Sequence, residues 1–199
     1  MDLHEGVVAM GLSLPDGVEQ KLRDYLALLS KWNRTYNLTA IRDPDQMITH
    51  HLLDSLAVLP HLGDAKTLVD VGSGAGLPGL VLAACRPDLR LTSVEAVQKK
   101  VAFQQQAKIA LGLANATIHG GRVESLKGSF DAAISRAFAE LADFVRLAGH
   151  LSTRLLAMKG TYPKEEIDRL PAGWHVVETI KLVVPGLDAG RHLIVMEKG

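Results

Sequence analysis

The chain predicts an α/β fold: a Rossmann-like, mostly parallel sheet with an antiparallel last strand, preceded by a helical N-terminal extension. Three observations carry that expectation. From residue 67 onward, β-rich and helix-compatible stretches alternate as they do in βαβ units. A glycine-rich turn, Gly72-Ser73-Gly74-Ala75-Gly76, follows the first β-rich run directly. The tail holds two β-rich runs joined by a short segment that starts at Pro185-Gly186, which suits an antiparallel pair at a sheet edge.

Residues 1–62 read as a helical extension and residues 63–199 as the α/β domain. Ser13 and Asp16 resemble a capping box at a helix start. Val18, Leu22, Tyr25, Leu29 and Trp32 then recur at helical spacing and form one apolar stripe. Asp43-Pro44, a cap residue followed by a first-turn proline, starts another helix whose buried face is Ile48, Leu52, Leu56 and Leu59. Gly63-Asp64 ends it. Strands are expected at 67–71, 89–95, 116–119, 130–135 and 154–158, and helices at 78–85, 97–111 and 139–149. Pro78 suits a first turn, and Gly112 a C-terminal stop. The runs 174–184 and 192–198 complete the sheet.

The 199 residues, 47% hydrophobic and 22% charged, suit one globular domain with a small appendage. Equal numbers of basic and acidic residues, 22 of each, argue against a strongly basic, non-specific nucleic-acid binder but allow a local basic patch. Neither a signal-peptide pattern nor an apolar run long enough for a membrane span is present. The single cysteine, Cys85, lies in an apolar run and fits a packed thiol in a reducing cytoplasm. The histidines lack metal-ligand spacing, so no metal is expected.

The glycine loop admits two readings. Gly74, Gly76 and Gly79 match the dinucleotide pattern G-x-G-x-x-G. Asp70, Gly72, Gly74 and Gly76 match acid-x-G-x-G-x-G, the first motif of methyltransferases that use S-adenosylmethionine (SAM). A carboxylate at the strand end opposes a pyrophosphate but suits a sulfonium ligand carrying an ammonium group. An antiparallel last strand also distinguishes the class I SAM-methyltransferase sheet from the all-parallel nicotinamide-binding one. The SAM reading therefore stands ahead, with a non-binding tight turn as the remaining option.

Glu95 ends the second strand and is placed to accept hydrogen bonds from the ribose hydroxyls of an adenosine; the alternative is a solvated surface acid. The loop Gly120-Gly121-Arg122-Val123-Glu124 suits an adenine, with backbone groups at its edge and Val123 on its face, or else an ordinary turn. Arg136, after the fourth strand, suits bidentate binding of a carboxylate or phosphate; the alternative is structural pairing with Asp131 or Glu140. Where amino-base methyltransferases often carry Asp/Asn-Pro-Pro-aromatic, this chain has Ser135-Arg136-Ala137-Phe138, which counts against an exocyclic amine acceptor. Residues 31–42 carry Lys31, Arg34 and Arg42 among Trp32 and Tyr36, and residues 144–164 carry Arg146, Arg154, Lys159 and Lys164. Cations among aromatics suit RNA, although Trp32 also lies on the apolar stripe. Lys159-Gly160 ends the fifth strand, on the side where substrates bind.

Several segments occur together and in order: Lys31-Trp32-Asn33, Tyr36-Asn37-Leu38-Thr39, Arg42-Asp43-Pro44, His51 with Leu53-Asp54-Ser55, the glycine loop with Leu77-Pro78-Gly79, Ser135-Arg136-Ala137-Phe138, Lys159-Gly160 and Arg191-His192-Leu193. From about residue 20 onward the chain resembles the bacterial small-subunit (16S) ribosomal RNA guanine-N7 methyltransferases, the glucose-inhibited division protein B family. The resemblance implies SAM as cofactor and a guanine of the 530 loop, nucleotide 527, as acceptor, in 16S RNA or the small subunit. It implies cofactor contacts at Gly72, Leu77, Val123, Glu124 and Arg136, beside Gly74 and Glu95 of the motif reading. Glu95 stands where many relatives carry Asp. Candidate substrate contacts are Arg136, Lys159, Arg34 and Arg42, and a cytoplasmic monomer is expected. Guanine N7 has an in-plane lone pair and no proton near neutral pH, so positioning alone can drive attack on the methyl group. No general base is required, and no catalytic residue is assigned. The rivals are a nicotinamide-dependent oxidoreductase, a non-catalytic RNA-binding or ribosome-assembly protein, and a small-molecule methyltransferase.

Overall fold

The computed structural model describes residues 1–137 and 140–199. Helix α1 (Leu3–Ala9) and helix α2 (Val18–Tyr36) open the chain. Next comes a helical run made of α3 (Pro44–Met47), a wider π-type segment (Ile48–Leu53) and α4 (Asp54–Leu56). The α/β part follows as β1 (Thr67–Val71), α5 (Gly79–Cys85), β2 (Arg90–Glu95), α6 (Gln98–Leu111), β3 (Ala116–Gly120), β4 (Ala132–Arg136), α7 (Leu141–Ala148), β5 (Arg154–Lys159), α8 (Lys164–Ile167), β6 (Trp174–Lys181) and β7 (His192–Lys198). The strands form one sheet in the order β3-β2-β1-β4-β5-β7-β6. The first five are parallel, and β7 runs antiparallel between β5 and β6. This is the expected Rossmann-like methyltransferase sheet with its antiparallel last strand.

Boundaries depart from expectation where side chains replace ladder bonds. Asp131 accepts the Lys66 and Thr67 backbone N–H groups at 2.8 and 2.9 Å, so β4 starts one residue after it. The Ser13/Asp16 start is not used. Gly17, at φ 77°, caps α2 without a side-chain bond, and the capping box of this region is Asp2 with Glu5 on α1. Gly112 closes α6 in the left-handed conformation, as its position predicts. Pro78 caps α5 from outside instead of opening its first turn.

Side-chain alternation along the strands places the site. In β1, Leu68 belongs to the core on one sheet face, with α1, α2, α5 and α6, while Val69 and Val71 pack with Phe144 of α7 on the other. Glu95 shares its face with Leu91, Arg136 with Ile134, and Arg191 with Leu193, so all three turn toward the helical N-terminal region. There Val18, Leu22, Tyr25 and Leu29 of α2 are buried in the same apolar cluster as Leu80 and Phe103. Trp32 sits edge-on to Phe103 at 5.7 Å, the core role its stripe position suggests.

Candidate active site

The glycine loop lies over the ends of β1 and β2. Gly72 and Gly74 have φ of 68° and 62°, a conformation glycine adopts without strain. Gly72 and Ser73 donate their N–H groups to the Val94 carbonyl at 3.0 and 3.1 Å, tying the loop to β2. Beneath it is a buried polar network: Gln104 of α6 donates to Ser73 Oγ and to the Gly74 carbonyl, each at 2.7 Å, and accepts from Ser93 Oγ at 2.6 Å. From the other side the buried Tyr25 hydroxyl donates to the Ala75 carbonyl at 2.7 Å. The loop is thus held in place before any ligand arrives.

Glu95 is 7% exposed, which removes the solvated-surface reading. Its Oε2 accepts the Gly74 N–H at 2.8 Å and its Oε1 the Val97 N–H at 2.9 Å. Each carboxylate oxygen retains acceptor capacity for a hydroxyl. Together with Gly72, Val94, Gly121, Val123 and Glu124, it lines a groove of about 190 Å³. Gly72 also borders a second groove, lined by Leu38, Thr39, His51, Gly74, Leu77, Lys100 and Arg136.

Asp70 corrects the charge argument made from its position. It lies on the α5 face of β1, fully buried, and its Oδ2 accepts the Gly79 N–H at 2.8 Å, while its Oδ1 has no partner. Burial pushes its carboxyl up to about 7, against the lowering effects of the Gly79 N–H and Arg136. It therefore anchors the helix start and lines neither groove beside the glycine loop. A carboxyl raised in the folded state contributes stability at low pH and loses it as pH rises through the folded value. Wild-type stability relative to Asp70→Asn should therefore fall between pH 5 and 8, by on the order of 1 kcal/mol per unit below pH 7. Denaturation curves measured across that range check this, and equal pH dependence in the two proteins would contradict it.

Arg136 does not pair with Asp131 or Glu140. Asp131 lies at the opposite end of β4, about 17 Å away at the rise of a strand, and Glu140 lies beyond the strand, just ahead of α7. Instead Arg136 Nη1 donates to the His50 carbonyl at 3.0 Å and to Asp54 Oδ2 at 3.3 Å. Asp54 Oδ1 accepts Arg191 Nε at 2.9 Å. Lys159 reaches Glu166 at 2.7 Å. Arg136, Asp54, Arg191 and Lys159, with His50, His51, Ala137 and Gly160, surround a cavity of about 360 Å³ at the ends of β4 and β5. His51, Arg136 and Ala137 border both this cavity and the groove beside the glycine loop, so the two spaces meet there. His51 is buried, with Nε2 3.0 Å from Thr39 Oγ1, and burial followed by the Arg136 charge pushes its imidazole down to about 4. It is neutral and a weak base.

Other expected site residues fall outside this junction. Arg34 and Arg42 are exposed and do not line the cavity, although Ile41 does; Arg42 donates to Asn37 Oδ1 at 2.6 Å. The second basic stretch divides, because Arg154 begins β5 and Lys159 ends it. Phe138 of the Ser-Arg-Ala-Phe segment and residue 139, expected to open a helix, lie outside the described residues. Cys85 is buried, which pushes its thiol up to about 12. Among the described residues, no group of three or more His, Cys, Asp or Glu could hold a metal, and no helix is long and apolar enough to cross a membrane. Sequence reading gave no site role to Asp54, Arg191 or Gln104, and it placed Tyr25 only on the apolar stripe. An acid set within the buried run Leu52, Leu53 and Leu56 was the available signal for Asp54.

Residues 18–194 match the family model described as GidB, rRNA small subunit methyltransferase G. A ribosomal RNA small subunit methyltransferase G of Aromatoleum aromaticum is 57% identical, over 98% of this chain and 97% of that one. One from an Azoarcus species is 54% identical, over 99% and 95%. Among solved structures, the O-methyltransferase TomG from Streptomyces achromogenes, in complex with SAM, superposes over 100% of both chains with a TM-score of 0.61. At 15% identity that likeness concerns the fold.

Proposed function

This chain belongs to the rRNA small subunit methyltransferase G family, and from that membership we propose that it transfers the methyl group of SAM to N7 of a guanine in the 530 loop of 16S RNA, nucleotide 527. The observation that carries the reading is the shared wall of His51, Arg136 and Ala137, where the second groove beside the glycine loop meets a cation-lined cavity. SAM, when bound, supplies an electrophilic methyl group on a positively charged sulfur.

In this reading Gly72, Gly74, Leu77, Glu95, Val123, Glu124 and Arg136 hold the cofactor, with Glu95 on the ribose and Val123 against the adenine. Arg136 and Lys159 position the acceptor in the cavity, and Arg34 and Arg42 contact RNA outside it. With SAM bound there, the N7 lone pair would form the new bond to carbon as the carbon–sulfur pair returned to sulfur. Positive charge passes to the base, and no proton moves. The protein's part is alignment of the reacting atoms and exclusion of water. The lining supports a base-free step, since His51 is a weak base and both Asp54 oxygens are engaged by guanidinium groups. His50 donates Nδ1–H to the Gln46 carbonyl at 3.0 Å.

The experiment is incubation of 16S RNA and of assembled subunits with radiolabelled SAM, followed by nucleoside analysis and single-turnover rates at saturating SAM. N7-methylguanosine, and no rising limb across roughly pH 6 to 9, are expected. Methyl on an exocyclic nitrogen, a ring carbon or a ribose hydroxyl would overturn the assignment, and a rising limb would restore a base.

A further inference from the structure

The acceptor cavity has one asymmetry that alignment alone does not require. Its charged lining is Arg136, Lys159 and Arg191 against the single carboxylate of Asp54. Asp54 is 4% exposed and holds one guanidinium on each oxygen: Arg136 from the end of β4, and Arg191 from the residue before β7. The two arginines are 24% exposed or less, so their stems are fixed while part of each head faces the cavity. For Arg191, Nε goes to Asp54 and Nη1 to the Gly190 carbonyl at 2.9 Å, which sets the plane of the guanidinium. Nη2 has no partner among the described residues. The cavity thus offers oriented N–H donors, and its one carboxylate is already occupied.

We propose that Arg191, oriented by Asp54, is a specificity-determining residue that reads the 6-oxo group of the acceptor base. This rests on the guanine-N7 reading above. Guanine carries O6, an acceptor, beside N7, whereas adenine carries an amino donor there. A fixed guanidinium donor meets the first and opposes the second. Arg136 borders the cofactor groove as well as the cavity, so Arg191, which borders the cavity alone, is the guanidinium left for the base edge. Asp54 has a second effect. Its negative charge beside the two cations offsets part of their field on a base that becomes cationic during transfer. Asp54 is a positioning residue in this scheme, acting through the two arginines.

The test uses small subunits reconstituted with RNA in which the target guanine is replaced by 2-aminopurine, which lacks O6, or by 2,6-diaminopurine, which carries an amine there. Both keep N7 and the 2-amino group. Wild-type protein is first run on the guanine substrate; absence of N7 methylation there sinks the proposed function itself. With that reaction present, 2-aminopurine should react about tenfold to a hundredfold more slowly, and 2,6-diaminopurine more slowly still, at unchanged SAM affinity. In Arg191→Ala and Arg191→Gln, with folding checked by circular dichroism, the guanine rate should fall. The guanine to 2-aminopurine ratio should then collapse to about threefold or less. Asp54→Asn should narrow the ratio in the same direction. A wild-type ratio near unity, or an Arg191→Ala protein that slows on both substrates and keeps the full ratio, would overturn the proposal. The second result would assign Arg191 to a phosphate.

Discussion

Replacing Gly72 with valine is expected to abolish SAM binding. Gly72 sits at φ 68°, borders both grooves beside the glycine loop, and is exposed to them. A β-branched residue in the left-handed region is strained by about 1–3 kcal/mol, and its methyl groups would occupy space that the ligand needs. The backbone cannot yield. The Gly72 and Ser73 N–H groups are held by the Val94 carbonyl, and the Val71 carbonyl accepts the Ser135 hydroxyl at 2.9 Å. Titration calorimetry should show micromolar binding in the wild type, about −8 kcal/mol. No measurable heat is expected in a variant whose circular dichroism is unchanged. A folded Gly72→Val protein that binds SAM within a few-fold of wild type would remove Gly72 from the site. Wild-type protein that binds a nicotinamide dinucleotide and not SAM would remove the cofactor assignment.

How much of this site the sequence discloses depends on the range of the interaction. Period-two alternation puts Glu95 and Arg136 at strand ends, and strand-end position is a local property. The glycine turn is local as well, because its conformation follows from residue type at adjacent positions. The antiparallel last strand could be read because a short Pro-Gly connection cannot support a parallel crossover. Asp70 shows where such reading fails. Its place at the strand end is legible, but the direction of its carboxylate depends on the Gly79 N–H and on how tightly α5 packs. The partners of Asp54 lie 82 and 137 residues away, and no periodicity specifies such a pairing. Cap choice failed for a related reason. Ser13 with Asp16 has the spacing of a capping box, but α2 starts only at Val18, after Gly17 in the left-handed conformation, so local spacing alone misplaced its start.

Glu95→Ala should damage both cofactor affinity and the fold, and the pairing of the two effects is what makes it informative. A solvated acid could be removed with almost no change in stability. The observed Glu95 accepts two backbone N–H groups that hold the glycine loop against the turn after β2, and truncation leaves both without that partner. Val97 is 43% exposed, so water can satisfy its N–H, whereas Gly74 is only partly accessible. A loss of about 2 kcal/mol, roughly 6 °C in Tm for a chain of this size, is therefore expected. SAM affinity should fall at least thirtyfold, about 2 kcal/mol for a lost hydrogen bond to a charged group, with loop disorder adding to it. Glu95→Gln separates the contributions. Its carbonyl oxygen can keep the Gly74 bond and most of the stability, but its amide nitrogen cannot accept, so the paired acceptors for a ribose diol are lost. Calorimetry and thermal melts on the two variants decide between the roles. Weak SAM binding in a thermally intact Glu95→Gln protein assigns Glu95 to the ribose. Wild-type affinity in that protein would leave Glu95 with loop architecture alone and move cofactor recognition to Val123 and Glu124 across the groove.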